Sequence, residues 1–140
     1  MQRLKTRPQF QAVLAGAIVA KTTHFALHRN ALDTKAMQNP PGKRADAPAL
    51  FAVRDLWIGA MVPKRWAKRA VTRNAIKRQI YTVSADYLLQ VSPAAFVVRL
   101  RRDFSRLEFV SASSEQLKQA VRAEVHALLQ TLLQAEGKAP

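Results

Sequence analysis

The chain has 140 residues, no cysteine, and 23 lysines and arginines against 9 acidic residues, which gives a formal charge of +14. This length predicts one compact domain over residues 1–140 and is too short for two comfortable ones. The missing cysteines exclude a disulfide framework and a cysteine-ligated zinc finger. The charge indicates a polyanionic partner, nucleic acid in preference to an acidic membrane surface.

The N-terminal segment predicts a helix. Apolar side chains recur at helical spacing from Phe10 onward and Pro8 suits an early helical position, so we expect a helix over 8–15 that Gly16 ends. A basic start followed by the apolar run 12–20 also resembles a short secretory signal, but the run is too short to span a membrane. We therefore expect an amphipathic first helix and a cytoplasmic protein without a membrane partner.

Two stretches predict strands, and a polar segment separates them. Within 18–29 the side chains alternate as one face of a strand requires, with Phe25 on the apolar face. Residues 30–48 lose this periodicity and are rich in turn formers, so we predict a polar loop insertion there. The apolar stretch that follows predicts a strand from about Leu56, with room for a hairpin arm before it. Pro63 ends this strand because it has no amide donor.

The second half of the chain begins with a long helix and a strand. We expect the helix over 66–91, closed by Pro93, and the strand over 95–101. In the strand, apolar side chains occupy one face and charged side chains part of the other. The core stripe of the helix steps by three and four residues along Ile76, Ile80, Val83 and Tyr87.

The C-terminal segment predicts a further helix, which Ser113 and Gln116 begin as a capping box and Gly137 ends. Its apolar face comprises Leu117, Val121, Val125, Leu128, Leu129 and Leu132. The order of elements indicates an α+β fold, a two-layer sandwich in which helices pack on a mixed β-sheet of about four strands. The strand at 56–62, the long helix and the strand at 95–101 form a β-α-β crossover.

The stretch 62–80 is the most informative part of the chain, because it holds seven basic residues and no acidic one. On the predicted helix, Arg69, Arg73 and Lys77 follow one line at intervals of about 6 Å, close to the phosphate spacing of a nucleic-acid strand. Asn74 adds an amide that can bond a base edge, a 2′-hydroxyl or a phosphate. The predicted RNA-binding residues are Lys64, Arg65, Lys68, Arg69, Arg73, Asn74, Lys77 and Arg78.

A solvated basic face that only maintains solubility is the alternative interpretation of this stretch. Like charges four residues apart destabilise a helix, and cations at a helix N-terminus oppose the macrodipole. A surface of mixed sign would give solubility without these penalties. Anion binding removes both penalties, and we therefore favour it.

The same stretch resembles the signature of bacterial ribonuclease P proteins. Lys64-Arg65 follows a strand that contains Gly59, and residues 70–80 then resemble the family's order of a short spacer, Arg-Asn-Arg, an aliphatic residue, Lys-Arg, any residue and an aliphatic residue. The segment 3–10 is similar to the family's basic N-terminal segment, which ends in a phenylalanine. The resemblance covers most of the chain.

The chain departs from the family pattern at two places. Ala75 stands where a third basic residue is usual, which removes one expected RNA contact. Tyr81-Thr82 stands where Arg-Glu is common. The polar excursion at 30–48 is also longer than the resemblance leads us to expect.

The resemblance implies that the protein is the subunit of an endoribonuclease whose RNA component supplies the active site. Mg²⁺ is then bound mainly by that RNA and by the substrate, and the chain needs no catalytic or metal-binding residue. A protein monomer would bind one catalytic RNA and assist removal of the 5′ leader from precursor tRNA. The resemblance also implies a left-handed β-α-β crossover, whereas general rules favour the right-handed one.

The resemblance further assigns roles to individual residues. The helix that carries Arg73 and Asn74 would face the catalytic RNA, and we expect both side chains on the surface, so that alanine substitutions weaken assembly and leave the fold intact. Leader bases would stack on aromatic side chains in a cleft between the sheet and the first helix. The predicted cleft residues are Phe10, Leu14, Phe25 and His28.

Other functions remain as alternatives. The aspartates and histidines are scattered without the spacing of a catalytic or metal site, which disfavours a nuclease that acts alone. Composition does not separate the ribonuclease P protein from a ribosomal or general RNA-binding protein without a role in cleavage, or from a DNA-coating protein. The order of the motif between two strands favours the first.

Overall fold

The computed structural model describes residues 1–32, 51, 55–88, 91, 93–104 and 115–137, without the side chains of 136 and 137. The predicted capping box at Ser113, most of the hairpin arm and most of the predicted insertion lie outside the described residues. In chain order, the elements are β1 (Gln2–Arg3), α1 (Arg7–Leu14), β2 (Ala17–Lys21), β3 (Phe25–Asn30), β4 (Trp57–Met61), α2 (Ala70–Leu88), β5 (Ala95–Leu100) and α3 (Glu115–Gly137).

The five described strands form one mixed sheet in the order β1-β4-β5-β3-β2. Strand β4 runs parallel to β1 and β5, and β3 runs antiparallel to β5 and β2. The α+β class, the mixed sheet and the parallel β4-α2-β5 connection are therefore confirmed, while the handedness of that connection stays a prediction. The sequence did not indicate β1, because two residues are too few to show an alternation. The stretch 18–29, which was predicted as one strand segment, is divided in the structure into the antiparallel pair β2 and β3.

Helix α1 begins with a capping box that the sequence analysis did not identify. The Thr6 hydroxyl accepts a hydrogen bond from the Gln9 amide at 3.3 Å, and the Gln9 side-chain oxygen accepts one from the Thr6 amide at 3.1 Å. The same oxygen accepts the Lys5 amide at 2.7 Å. These bonds satisfy amides that a helix start leaves without intrahelical partners.

Helix α1 packs on one face of the sheet through Val13, against a small cluster that includes Trp57 and Val97. Gly59 permits this contact, because a Cβ atom built at Gly59 would lie 2.6 Å from the Phe10 ring and 2.7 Å from a Leu4 methyl carbon. Phe10 and Leu4 thus lie directly over the backbone of β4. A side chain at position 59 would have to displace them.

Helices α2 and α3 cover the opposite face of the sheet and enclose the larger core. The predicted stripe of α2 is confirmed for Ile76, Ile80 and Val83, which are buried, while Tyr87 is half-buried and its hydroxyl lies 2.8 Å from Nδ1 of His126. The predicted apolar face of α3 is confirmed in full. Its buried residues are Leu117, Val121, Val125, Leu128, Leu129 and Leu132.

Helix α2 begins later than the sequence predicted, at Ala70 instead of Trp66, and it ends at Leu88. The amides of Trp66 and Ala67 both donate to the Pro63 carbonyl oxygen at 3.1 Å, so the chain makes a turn before the helix starts. The periodicity of the segment gave no sign of this turn. The connection between β4 and α2, residues 62–69, therefore carries four of the cations, and two of these, Lys68 and Arg69, were predicted on the helix.

We expect Gly59→Ala to lower the free energy of unfolding by about 1–3 kcal/mol, because the added methyl group overlaps Phe10 and Leu4. Urea denaturation followed by circular dichroism measures the change. The cost of the alanine should be smaller in a Phe10→Leu background, where the ring edge is absent. Equal costs in the two backgrounds would show that Phe10 is not the neighbour that excludes a side chain.

Candidate nucleic-acid interface

The eight predicted RNA-binding residues surround the start of α2. Four of them, Lys64, Arg65, Lys68 and Arg69, are exposed on the connection before the helix. On α2, Asn74 and Arg78 are exposed, and Arg73 and Lys77 are half-buried. The structure thus brings the set together around the N-terminal end of α2.

No carboxylate among the described residues neutralises these cations. Within residues 1–32, 55–88, 93–104 and 115–137, the ion pairs join Met1 to Asp55, His24 to Glu124 and Lys118 to Glu115, and none involves the basic residues at 64–78. The first turn of α2 also has no acidic residue. Its free amides and the surrounding cations create a field that attracts anions.

The predicted line of cations along one face is wrong for Arg73. Arg69 precedes the helix, and its carbonyl oxygen accepts the Arg73 amide at 3.1 Å. The Arg73 guanidinium turns back toward the connection, where Nη1 donates to the carbonyl oxygens of Ala67 at 3.0 Å and Lys68 at 2.8 Å. Arg73 therefore stabilises the conformation of the segment that presents the other cations, besides adding its own charge.

A groove of about 540 Å³ opens between β1 and α2, next to this basic surface. The groove's polar lining residues are Arg3, Asn74, Lys77, Arg78, Tyr81 and Thr82. The Arg3 guanidinium lies over the Tyr81 ring, 4.1 Å from its centroid, and the Tyr81 hydroxyl accepts the Ala60 amide at 3.3 Å. Sequence analysis did not assign Arg3 or Tyr81 to a site.

Part of this groove was visible in the sequence. Tyr81 follows Lys77 and Arg78 by four and three residues, which places all three on one side of a helix. Arg3 gave no such signal, because only the pairing of β1 with β4 brings it there.

The predicted leader-binding cleft is only partly assembled. Phe10 and Leu14 are half-buried on α1, and His28 lies on the same face of the sheet, opposite Val97 in the β3-β5 register. Phe25 is the exception: its side chain has no exposed surface and belongs to the core beneath α2 and α3. Phe25 therefore cannot line a cleft with the other three, and that assignment is wrong.

His28 offers little ring surface for stacking, because only 5% of the residue is exposed. Its Nε2 accepts a hydrogen bond from Nε of Arg99 at 3.0 Å, which places the proton of the neutral ring on Nδ1. Burial lowers the pKa of His28 below its ordinary value of 6.5, and the charges of Arg99 and Lys21 lower it further. A neutral His28 thus orients the half-buried Arg99 on the α1 face of the sheet.

Two further features bear on the chemistry of the described residues. No group of three or more histidine, aspartate or glutamate side chains with the arrangement of a metal site occurs among them. None of the described helices combines the length and the apolar character needed to cross a membrane.

The sequence profile of the family described as Ribonuclease P matches residues 1–131. The chain belongs to the ribonuclease P protein family. A relative named ribonuclease P protein component from Bordetella petrii is 31% identical over 125 residues, 89% of this chain and 86% of the relative. One from Trichormus variabilis is 33% identical over 99 residues, and these cover 65% of this chain and 66% of the relative.

Solved structures show the same fold. The RNase P protein of Staphylococcus aureus superposes with a TM-score of 0.62 at 17% identity, covering 94% of this chain and 95% of that one. The RNase P protein of Thermotoga maritima gives a TM-score of 0.60 at 17% identity, with coverages of 93% and 96%. The family resemblance seen in the sequence is therefore confirmed by the profile and the relatives, and the fold by these structures.

We expect Arg73→Ala to lower the free energy of unfolding by about 1–3 kcal/mol, because two backbone carbonyls lose a charged donor. Asn74→Ala, one residue away and exposed, should change it by less than about 0.5 kcal/mol. Urea denaturation of both variants measures the difference. Two variants as stable as the wild-type chain would show that the Arg73 bonds contribute nothing to the fold.

We expect the wild-type chain to lose stability relative to His28→Gln as the pH falls from about 7.5 to about 5.5. The pKa of His28 is lowered in the folded state, so the unfolded chain binds the proton more readily and acidification through 6.5 favours unfolding. Glutamine retains an acceptor for Arg99 but does not titrate. Urea midpoints at both pH values test this, and a difference between the two proteins that is independent of pH would contradict it.

Proposed function

We propose that the protein binds the catalytic RNA of ribonuclease P and the 5′ leader of precursor tRNA, and assists the magnesium-dependent removal of that leader. The observation that carries the proposal is the basic surface around the start of α2, which no described acidic residue neutralises, in a chain of the ribonuclease P family. The protein acts as one subunit of an endoribonuclease, and the RNA subunit holds the catalytic centre.

Assembly with the RNA subunit depends on the connection before α2 and on the first turns of that helix. The lysines and arginines of the connection are exposed, so phosphates reach them without a change of fold. Each phosphate neutralised releases counterions, which makes assembly steeply dependent on salt. Arg73 supports this surface from within by fixing the carbonyls of Ala67 and Lys68.

The leader lies on the other face of the sheet, in the cleft beside α1. There Phe10 and Leu14 supply apolar surface and the exposed Ile18 pairs with His28 across β2 and β3. Arg99, held by His28, supplies a cation for the leader backbone. Contacts to the backbone and to apolar base surfaces suit a leader of varied sequence better than hydrogen bonds to base edges do.

The remaining parts of the proposal follow the family resemblance. Magnesium ions are bound by the RNA subunit and the substrate, and the chain contributes no metal ligand. A protein monomer joins one catalytic RNA in the cytoplasm. Precursor tRNA is the substrate of the assembled particle.

Reconstitution tests the proposal. We expect the wild-type chain to restore leader cleavage by a bacterial ribonuclease P RNA at a magnesium concentration where that RNA alone is inactive. The protein alone should leave precursor tRNA uncut. Gel analysis of the 5′-labelled precursor measures both results.

Charge variants connect this activity to the interface. The double variant Lys64→Ala/Lys68→Ala should raise the protein concentration needed for half-maximal cleavage by roughly tenfold or more, since each lost phosphate contact weakens assembly. Arg122→Ala removes an exposed charge from α3, away from this surface, and serves as the control.

Other outcomes separate the alternatives. Equal binding to any structured RNA without a gain in cleavage would favour a ribosomal or general RNA-binding protein. Equal competition by matched RNA and DNA would favour a DNA-coating protein, because only RNA carries the 2′-hydroxyl.

A further inference from the structure

The groove between β1 and α2 brings together three cations that no acidic residue of the described part of the chain neutralises. Arg3 reaches it from the edge strand, and Lys77 and Arg78 reach it from the helix. Within the described part of the chain, none of the three donates a hydrogen bond to protein or forms an ion pair, and no acidic residue lines the groove. Three like charges around one opening repel each other until an anion enters.

The carboxylate of Asp55, at the β1 edge of the sheet, is bound by other partners than Arg3. Asp55, just before β4, accepts a hydrogen bond from the side-chain amide of Gln2 at 3.3 Å and pairs with the Met1 amino group at 3.3 Å. It also accepts the Leu56 amide at 2.7 Å. Arg3 is not among the partners of Asp55, and it lines the groove instead.

Tyr81 holds Arg3 in this position. Its ring lies beneath the guanidinium at 4.1 Å, and its hydroxyl accepts the amide of Ala60 at 3.3 Å. The ring is thus attached to the sheet at one end and to α2 at the other. A free arginine side chain has many rotamers, and stacking on a fixed ring reduces the entropy that ordering it on a ligand would cost.

We propose that this groove is a phosphate site for RNA in which Arg3, positioned by Tyr81, adds its charge to those of Lys77 and Arg78. The inference rests on the proposed function and extends the basic surface from α2 across to the N-terminal strand. The chemistry matches a phosphodiester, because a guanidinium offers two parallel donors and an ammonium adds a point charge. The exposed carboxamide of Asn74 at the rim can bond an adjoining ribose or base.

The phosphate could belong to the catalytic RNA or to precursor tRNA, and two binding experiments distinguish these sources. The first measures the affinity of the protein for a bacterial ribonuclease P RNA over a salt series from about 0.05 to about 0.3 M. The second measures the affinity of precursor tRNA for the particle assembled with saturating protein. If Arg3→Ala weakens binding only in the first experiment, the phosphate belongs to the catalytic RNA. If it weakens binding only in the second, the phosphate belongs to the precursor.

In the experiment whose RNA occupies the groove, Arg3→Ala should weaken binding by roughly tenfold at low salt. It should also reduce the slope of log affinity against log salt by about one. Arg7→Ala is the matched control. Arg7 is exposed, carries the same charge and lies four residues away, but it begins α1 on the other face of the sheet. It should leave the affinity within about twofold of wild type, because it does not line the groove.

A double-mutant cycle tests the positioning role of Tyr81. Tyr81→Leu removes the ring and should lose part of the affinity that Arg3→Ala loses, whereas Tyr81→Phe keeps the ring and should lose less. Adding Tyr81→Leu to Arg3→Ala should cause no further loss, because Tyr81 acts through Arg3. Independent, additive losses would show that Tyr81 affects the fold instead.

The results separate this inference from the proposed function. A wild-type chain that fails to stimulate leader cleavage would overturn the proposed function. If stimulation occurs and Arg3→Ala matches Arg7→Ala in both binding experiments, the groove is not an RNA site and the inference alone fails.

Discussion

The main constraint on this structure is a concentration of positive charge that no carboxylate among the described residues neutralises. Proteins usually interleave charges of both signs on their surfaces, and a cluster of one sign destabilises the compact state through self-repulsion. Here the cluster lies on the connection before α2 and on the start of that helix. Arg73 stabilises the connection by donating hydrogen bonds to two of its backbone carbonyls. The cation that holds this segment in place thus also adds to the repulsion within it.

The sheet divides the molecule into two functional sides. Its α2 and α3 face is a dry core whose rim carries the basic connection and the groove beside Arg3. Its α1 face is covered by one short helix, so that Arg99 and His28 lie beside partly exposed apolar side chains. Two RNA segments could bind such a protein on opposite sides of one sheet without competing for the same residues.

Most of the fold could be predicted from the sequence, because the apolar spacings in α1, α2 and α3 and the alternation in β3 and β5 are local signals. The start of α2 could not, since the turn at Pro63–Ala67 depends on backbone hydrogen bonds that leave no trace in the periodicity. Phe25 was assigned to the wrong side for a related reason. Alternation shows which residues share a face of a strand, but not which helix covers that face.

The candidate site was predictable to a similar extent. The basic residues at 64–78 are contiguous in sequence and stand out from it, whereas Arg3, Arg99 and the bonds of Arg73 owe their positions to contacts between distant segments. His28 shows the limit most clearly. The ring of His28 suggested a stacking surface in the sequence. In the structure the ring is buried, and its Nε2 accepts a hydrogen bond that orients Arg99.

The hydrogen bond from the Ala60 amide to the Tyr81 hydroxyl also covers part of the sheet edge. Strand β1 accompanies β4 only as far as Ile58, so the next outward amide of β4 belongs to Ala60. An unpaired edge amide is a template on which another chain can add a strand and begin to aggregate. By accepting that amide, the Tyr81 hydroxyl occupies a donor of β4 beyond the end of β1, and so removes one point at which another chain could pair with the sheet.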